Sequence, residues 1–125
     1  MVRGNQVVKE VSMGALGPPI KIEQKLNCRS SGVVYIAVDL ADGKLYAGET
    51  GREARKRLGE HIRAIENDDR SSAVGEHFNQ KGHGADNLAM IPVVKVIGGK
   101  FERRAIERDI INRYELVQNG MKRIL

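Results

Sequence analysis

The chain has 125 residues, a length that suits one compact domain and argues against a second independently folded unit. Its 21 Lys plus Arg outnumber 16 Asp plus Glu for a net charge of +5, which favours a polyanionic partner; 30% charged and 41% apolar residues argue against both disorder and a membrane protein. The single cysteine, Cys28, excludes an internal disulfide and any zinc site built from two or more cysteines of this chain.

In chain order, residues 1–19 form an N-terminal extension with short valine groups and the break Pro18-Pro19, and carry no readable function. Met1 to Gln6 has no apolar signal core, and the longest apolar run, Val33 to Val38, falls far short of the roughly 20 residues of a spanning helix. The expected location is therefore intracellular, and nuclear in a eukaryote. From residue 20 a single domain is expected to run to the end. Ile20, Ile22 and Leu26 fall on one parity of a half-exposed strand, an extra N-terminal strand that could add to the edge of the main sheet.

Val33-Val34-Tyr35-Ile36-Ala37-Val38 is apolar on both parities, as expected of a central strand covered on both faces. Asp42-Gly43 is a two-residue hairpin signal, and Lys44 to Gly48 is the returning strand. With that turn Tyr46 lies opposite Asp39 and shares a sheet face with Tyr35, about 13 Å away along the strand. Thr50-Gly51-Arg52-Glu53 has the form of a capping box and predicts a helix to about Asn67, with Ala54, Leu58, Ile62 and Ile65 as its buried stripe. Arg57 and His61 make a second stripe one step around that helix.

Ser71-Ser72 is expected to cap a short helix through about Gln80, ended by Gly82 and Gly84. Leu88 to Ile97 reads as a third strand, with Pro92 demanding an edge position or a bulge. A last helix is predicted over Glu102 to Val117, with Ala105 or Ile106, Ile110, Ile111, Tyr114 and Val117 inward and Glu107 beside that seam. The fold class is α/β: a small sandwich with a mostly antiparallel three-stranded core sheet flanked by helices.

Val33-Val34-Tyr35, ten residues, Tyr46-Ala47-Gly48-Glu49-Thr50, then Arg57-x-x-x-His61 and a late helix carrying Glu107 together resemble the GIY-YIG endonuclease superfamily. Within it, Asn27-Cys28-Arg29-Ser30-x-x-Val33-Val34-Tyr35 and Ser72 to His77 followed by His83 look like the endonuclease domains of Penelope-like retroelements. The resemblance covers roughly residues 20 to 120. It implies metal-dependent DNA nicking that leaves a 3′-hydroxyl and a 5′-phosphate, with a reverse transcriptase as fused or associated partner in a retroelement setting.

Each catalytic role then has a candidate. Phosphodiester hydrolysis needs a base for water, a cation at the nonbridging oxygens and a metal ion for the leaving oxygen. The resemblance assigns the water's proton to Tyr35 or a base linked to it, water or phosphate orientation to Tyr46, and the scissile phosphate to the forked guanidinium of Arg57. His61 shares proton work or positions Tyr35. Glu107 holds one Mg²⁺ or Mn²⁺, with Glu102 as rival.

Arg52, Arg55, Lys56 and Arg63, with Arg103 and Arg104, are the candidate phosphate-binding surface, the bland alternative being solvated charge with i,i+4 pairs. The resemblance to the retroelement domains implies cysteines between the two halves that form a zinc site with the His pair, and Ile36 to Leu45 has none. His77 and His83 are accordingly expected to cap or pack their short helix, and zinc is not expected. Gly120-Met121-Lys122 stands where the superfamily has a Gly-hydrophobic-Asn, leaving Asn119 as the candidate substitute. The competing reading is a catalytically inactive nucleic-acid-binding module of the same fold.

Overall fold

The computed structural model describes residues 10–13, 17–22 and 26–114. Among them are five strands and three α-helices: β1 (Glu10–Val11), β2 (Ile20–Lys21), β3 (Val33–Asp39), β4 (Leu45–Thr50), α1 (Ala54–Glu66), α2 (Ala73–Lys81), β5 (Leu88–Lys95) and α3 (Lys100–Arg113). The main sheet is antiparallel with order β4-β3-β5, so the strand that is apolar on both parities is the central one.

Both faces of β3 are covered. Val33, Tyr35 and Ala37 pack with Ala54, Leu58 and Ile65 of α1 and Val74 and Phe78 of α2, while Val34 and Ile36 pack with Ile110 and Ile111 of α3 and with Val11 and Met13. Period-two alternation thus deals successive β3 residues to two separate cores. β1 and β2 pair with each other in a ribbon of their own, so the N-terminal strand does not extend the edge of the main sheet as expected. Ile20 and Ile22 pack on the α3 side of the sheet instead, while Leu26, expected on the same strand face, packs on the α1 side.

Three local predictions are corrected. The β3–β4 connection is a four-residue loop, Leu40 to Gly43, closed by the Asp39 amide donating to the Lys44 carbonyl at 2.9 Å and the Gly43 amide to the Asp39 carbonyl at 2.7 Å. Gly43 supplies the positive φ of 75°. Tyr46 therefore lies opposite Ala37 rather than Asp39, and Tyr35 opposite Gly48. Two extra loop residues keep the face parity and bring the two tyrosines to a diagonal pair.

The expected capping box does not form. Thr50 still belongs to β4 and its hydroxyl accepts from the Arg52 amide at 3.1 Å. The first α1 amides are satisfied by main-chain carbonyls across the fold, Ala54 by Ser30 at 2.8 Å and Arg55 by Cys28 at 2.7 Å. In the α1 stripe it is His61, not Ile62, that is buried, with Ile62 half-covered.

Elsewhere the chain reads as expected. Ser72 caps α2 by accepting from the Gly75 amide at 3.1 Å, and Gly82 ends it at φ 71°. β5 is an edge strand and its register against β3 slips beside Pro92, which faces Tyr35; the slip leaves Val93 as the extra residue. α3 begins two residues before Glu102, because the Glu102 carboxylate reaches back to the Gly99 amide at 2.8 Å. Ile110, Ile111 and Tyr114 face inward, Ile106 is half-buried and Ala105 exposed; Val117 lies outside the described residues.

Candidate active site

Three aromatic rings meet on the α1 side of the sheet. The Tyr35 and Tyr46 centroids are 6.4 Å apart, Tyr35 and His61 are 6.1 Å apart, and Tyr46 and His61 are 6.5 Å apart. Tyr35 comes from the central strand, Tyr46 from the diagonal position on β4, and His61 from the buried stripe of α1. Gly48 makes this convergence possible. A Cβ there would stand 2.4 Å from Tyr35 Cζ, 2.5 Å from its hydroxyl and 2.8 Å from Tyr46 Cε1, so the ring of Tyr35 occupies the space a side chain would take. The Tyr-x-Gly spacing is thereby given a steric reason.

Hydrogen bonds join Tyr35, His61 and Arg57 into one group. The Tyr35 hydroxyl is 3.0 Å from His61 Nε2, and Arg57 Nε lies 3.4 Å from the same oxygen. A guanidinium can only donate, so Arg57 takes one lone pair of the Tyr35 oxygen, and the phenolic proton has His61 Nε2 as its acceptor in the tautomer whose ring hydrogen is on Nδ1. Burial, reinforced by the Arg57 charge, pushes His61 down to about 3, and the imidazole is neutral throughout the physiological range. Tyr35 is fully buried, and loss of solvent together with the neighbouring Tyr46 pushes its phenol well above the ordinary value of 10, with Arg57 opposing. Tyr46, half-buried, is raised as well, first by burial and then by the charge of Glu107.

Glu107 reaches this site from the other face of the sheet. α3 lies chiefly over β4, an edge strand, and the half-buried carboxylate of Glu107 is close enough to act electrostatically on both tyrosines. The half-buried Glu107 carboxylate is a group that could hold one hard divalent ion beside the two tyrosines. Glu102, the rival, is exposed and occupied in capping its own helix.

The basic residues divide into two sets. Arg57 is held by Glu60 at 3.1 Å and Arg52 pairs with the same carboxylate, which keeps the Arg57 guanidinium facing Tyr35 with a 30% exposed side chain. Arg55 bonds Glu53 at 2.9 Å. Arg103, expected on the phosphate-binding surface, is instead turned inward, 13% exposed and bonded to Glu49 at 2.8 Å, where it fastens α3 to β4. Lys56, Arg63 and Arg104 are exposed, Arg104 with Glu49 at 4.0 Å. Asn119 lies outside the described residues.

His77 and His83 do not join this group. They converge on Asp39, which ends β3 four residues beyond Tyr35, roughly 13 Å along the strand. In the sequence Asp42 had only a turn role and Asp39 none; the one signal at Asp39 was a carboxylate closing an otherwise apolar strand. Gly48, Glu49 and Glu60 likewise had no assigned role there, since each acts through a partner that only the fold supplies.

The model of the GIY-YIG catalytic domain matches residues 31–122. No curated protein and no solved structure matches the chain. The matched segment contains the hairpin, α1, α2, β5 and the Glu107 helix, all the elements that build the site. The chain belongs to the GIY-YIG catalytic domain family, whose fold it has, and membership implies a nuclease that acts on DNA.

Proposed function

We propose that this protein is a Mg²⁺- or Mn²⁺-dependent DNA endonuclease that nicks one strand at a time and leaves a 3′-hydroxyl and a 5′-phosphate. The observation that carries this reading is the buried Tyr35–His61–Arg57 network beside Tyr46 and Glu107. In it the raised Tyr35 phenol serves as a conduit and not as a standing phenolate. As the attacking water gives its proton to the Tyr35 oxygen, the phenolic proton passes to the free lone pair of His61 Nε2, so the oxygen never carries a full charge. Neutrality of His61 keeps that lone pair available, and the negative phosphate favours the imidazolium that forms.

Arg57, fixed by Glu60, presents the guanidinium edge not used on Tyr35 to a nonbridging phosphate oxygen. Tyr46, the more exposed phenol, orients water or phosphate. Glu107 would hold the divalent ion, which supplies positive charge for the leaving oxygen. Lys56, Arg63 and Arg104 are the exposed cations we assign to the DNA backbone, with Arg52 and Arg55 reaching it past their carboxylate partners. The motifs Asn27 to Tyr35 and Ser72 to His83, read from the sequence as resembling Penelope-like domains, are our ground for a retroelement setting, in which the nick's 3′-hydroxyl primes an associated reverse transcriptase inside the cell, in the nucleus of a eukaryotic host.

The test is conversion of supercoiled plasmid to open circles with Mg²⁺, Mn²⁺ or EDTA, for the parent and Glu107→Ala. Metal-dependent nicking by the parent alone is expected. Salt-sensitive DNA binding without conversion by either protein would refute the nuclease and leave a binding module.

A further inference from the structure

A second cluster of titratable side chains lies apart from the nuclease site. Asp39 Oδ2, Asp42 Oδ2, His77 and His83 offer four ligand atoms that all lie within 4.8 Å of one another. Asp39 is fully buried at the end of β3, Asp42 is in the following loop, His77 is on the buried face of α2 and His83 stands just beyond its cap. The two carboxylates are aimed. Each spends Oδ1 on the loop, Asp39 accepting from the Ala41 amide and Asp42 from the Lys44 amide, both at 2.9 Å, and turns Oδ2 to the histidines.

Hydrogen bonding alone serves this arrangement poorly. His77 Nε2 is 2.9 Å from Asp39 Oδ2 and 3.0 Å from Asp42 Oδ2, and one N–H cannot lie along both directions. Asp39 Oδ2 is also 2.5 Å from His83 Nδ1. Three close contacts thus share at most two ring hydrogens, around two acidic oxygens of which one is shut off from solvent. A cation at the centre would satisfy all four atoms and cancel the two negative charges.

We propose that Asp39, Asp42, His77 and His83 form a structural Zn²⁺ site. Two imidazole nitrogens and two carboxylate oxygens make a closed tetrahedral set, and ligand bonds near 2.1 Å require ligand atoms about 3.4 Å apart, a spacing between the 2.5–3.0 Å of the three close contacts and the 4.8 Å that bounds the set. Nitrogen donors at half the positions select zinc over Mg²⁺ or Ca²⁺, which take oxygen. The low cysteine count argued against zinc at His77 and His83; the fold completes the set with aspartates. The ion pins the hairpin that carries Tyr35 and Tyr46 to α2, and its binding does not depend on nuclease activity.

The experiment uses the full chain, free of any purification tag and stripped with EDTA. One Zn²⁺ per chain is expected by metal analysis and titration, undisturbed by millimolar Mg²⁺, with Tm raised by about 10 °C at a hundredfold excess over Kd. Co²⁺ should give the intense visible absorption of a tetrahedral site. Asp42→Asn and His83→Asn, both at partly exposed positions, should each weaken zinc at least about tenfold and abolish that absorption, while Glu107→Ala leaves both unchanged. Absence of stoichiometric zinc, displacement by Mg²⁺, or equal affinity in Asp42→Asn and His83→Asn would overturn the proposal.

Discussion

His61 makes the nuclease site sensitive to acid through stability as well as chemistry. Its folded value of about 3 lies below the ordinary 6.5, so between those limits the unfolded chain binds a proton that the folded chain refuses. Stability is therefore intact above pH 6.5, falls as pH drops through that value, and stops falling on this account near pH 3. The slope approaches 1.4 kcal/mol per pH unit. From pH 7 to pH 5 the loss works out at about 2 kcal/mol, a large share of the 5–15 kcal/mol of a typical domain.

The groups facing His61 do not imitate this effect. Tyr35 and Tyr46 stay neutral in that window, Arg57 stays charged, and Glu60, lowered first by its bond to Arg52, stays ionised. Urea unfolding of the parent and of His61→Gln at both pH values isolates the contribution. Glutamine can still bond the Tyr35 hydroxyl but does not titrate, so its loss on acidification should be smaller than the parent's by about 2 kcal/mol. Losses equal within about 0.5 kcal/mol, the usual error of such comparisons, would show that His61 is not held neutral and would remove the acceptor on which the proton relay rests.

Two further predictions concern the tyrosines. Tyr35→Phe should keep the fold at a cost of about 1–3 kcal/mol, because His61 Nε2 loses its buried partner, and should lower plasmid nicking by at least about a hundredfold at unchanged DNA affinity; wild-type nicking would exclude the relay. Gly48→Ala should cost at least about 1–3 kcal/mol in thermal or urea unfolding, as its Cβ would enter the Tyr35 ring, and an unchanged stability would show that the ring is free to move aside.

Residues close in sequence decided much of this protein on their own. The two-sided apolar run of β3, the Ser72 and Gly82 caps, the edge position forced by Pro92 and the ordered set Tyr35, Tyr46, Arg57, His61 and Glu107 were legible because each depends on a local period, a local torsion or a motif. Register was less so. The four-residue loop leaves Asp39 within β3, paired with Leu88 of β5 and in contact with His77 and His83, 38 and 44 residues away, and spacing along the hairpin shows none of these partners.

Tertiary structure alone settled what long-range contact determines. It buried His61 in place of Ile62, replaced a capping box by carbonyls of Cys28 and Ser30, and turned Arg103 from the surface to Glu49. It also gathered Asp39, Asp42, His77 and His83 into one cluster. Spacing along a chain fixes which face a side chain takes within one element. Which partner waits on that face, and with it the charge state and chemistry of the residue, follows only when separate elements pack and exclude water.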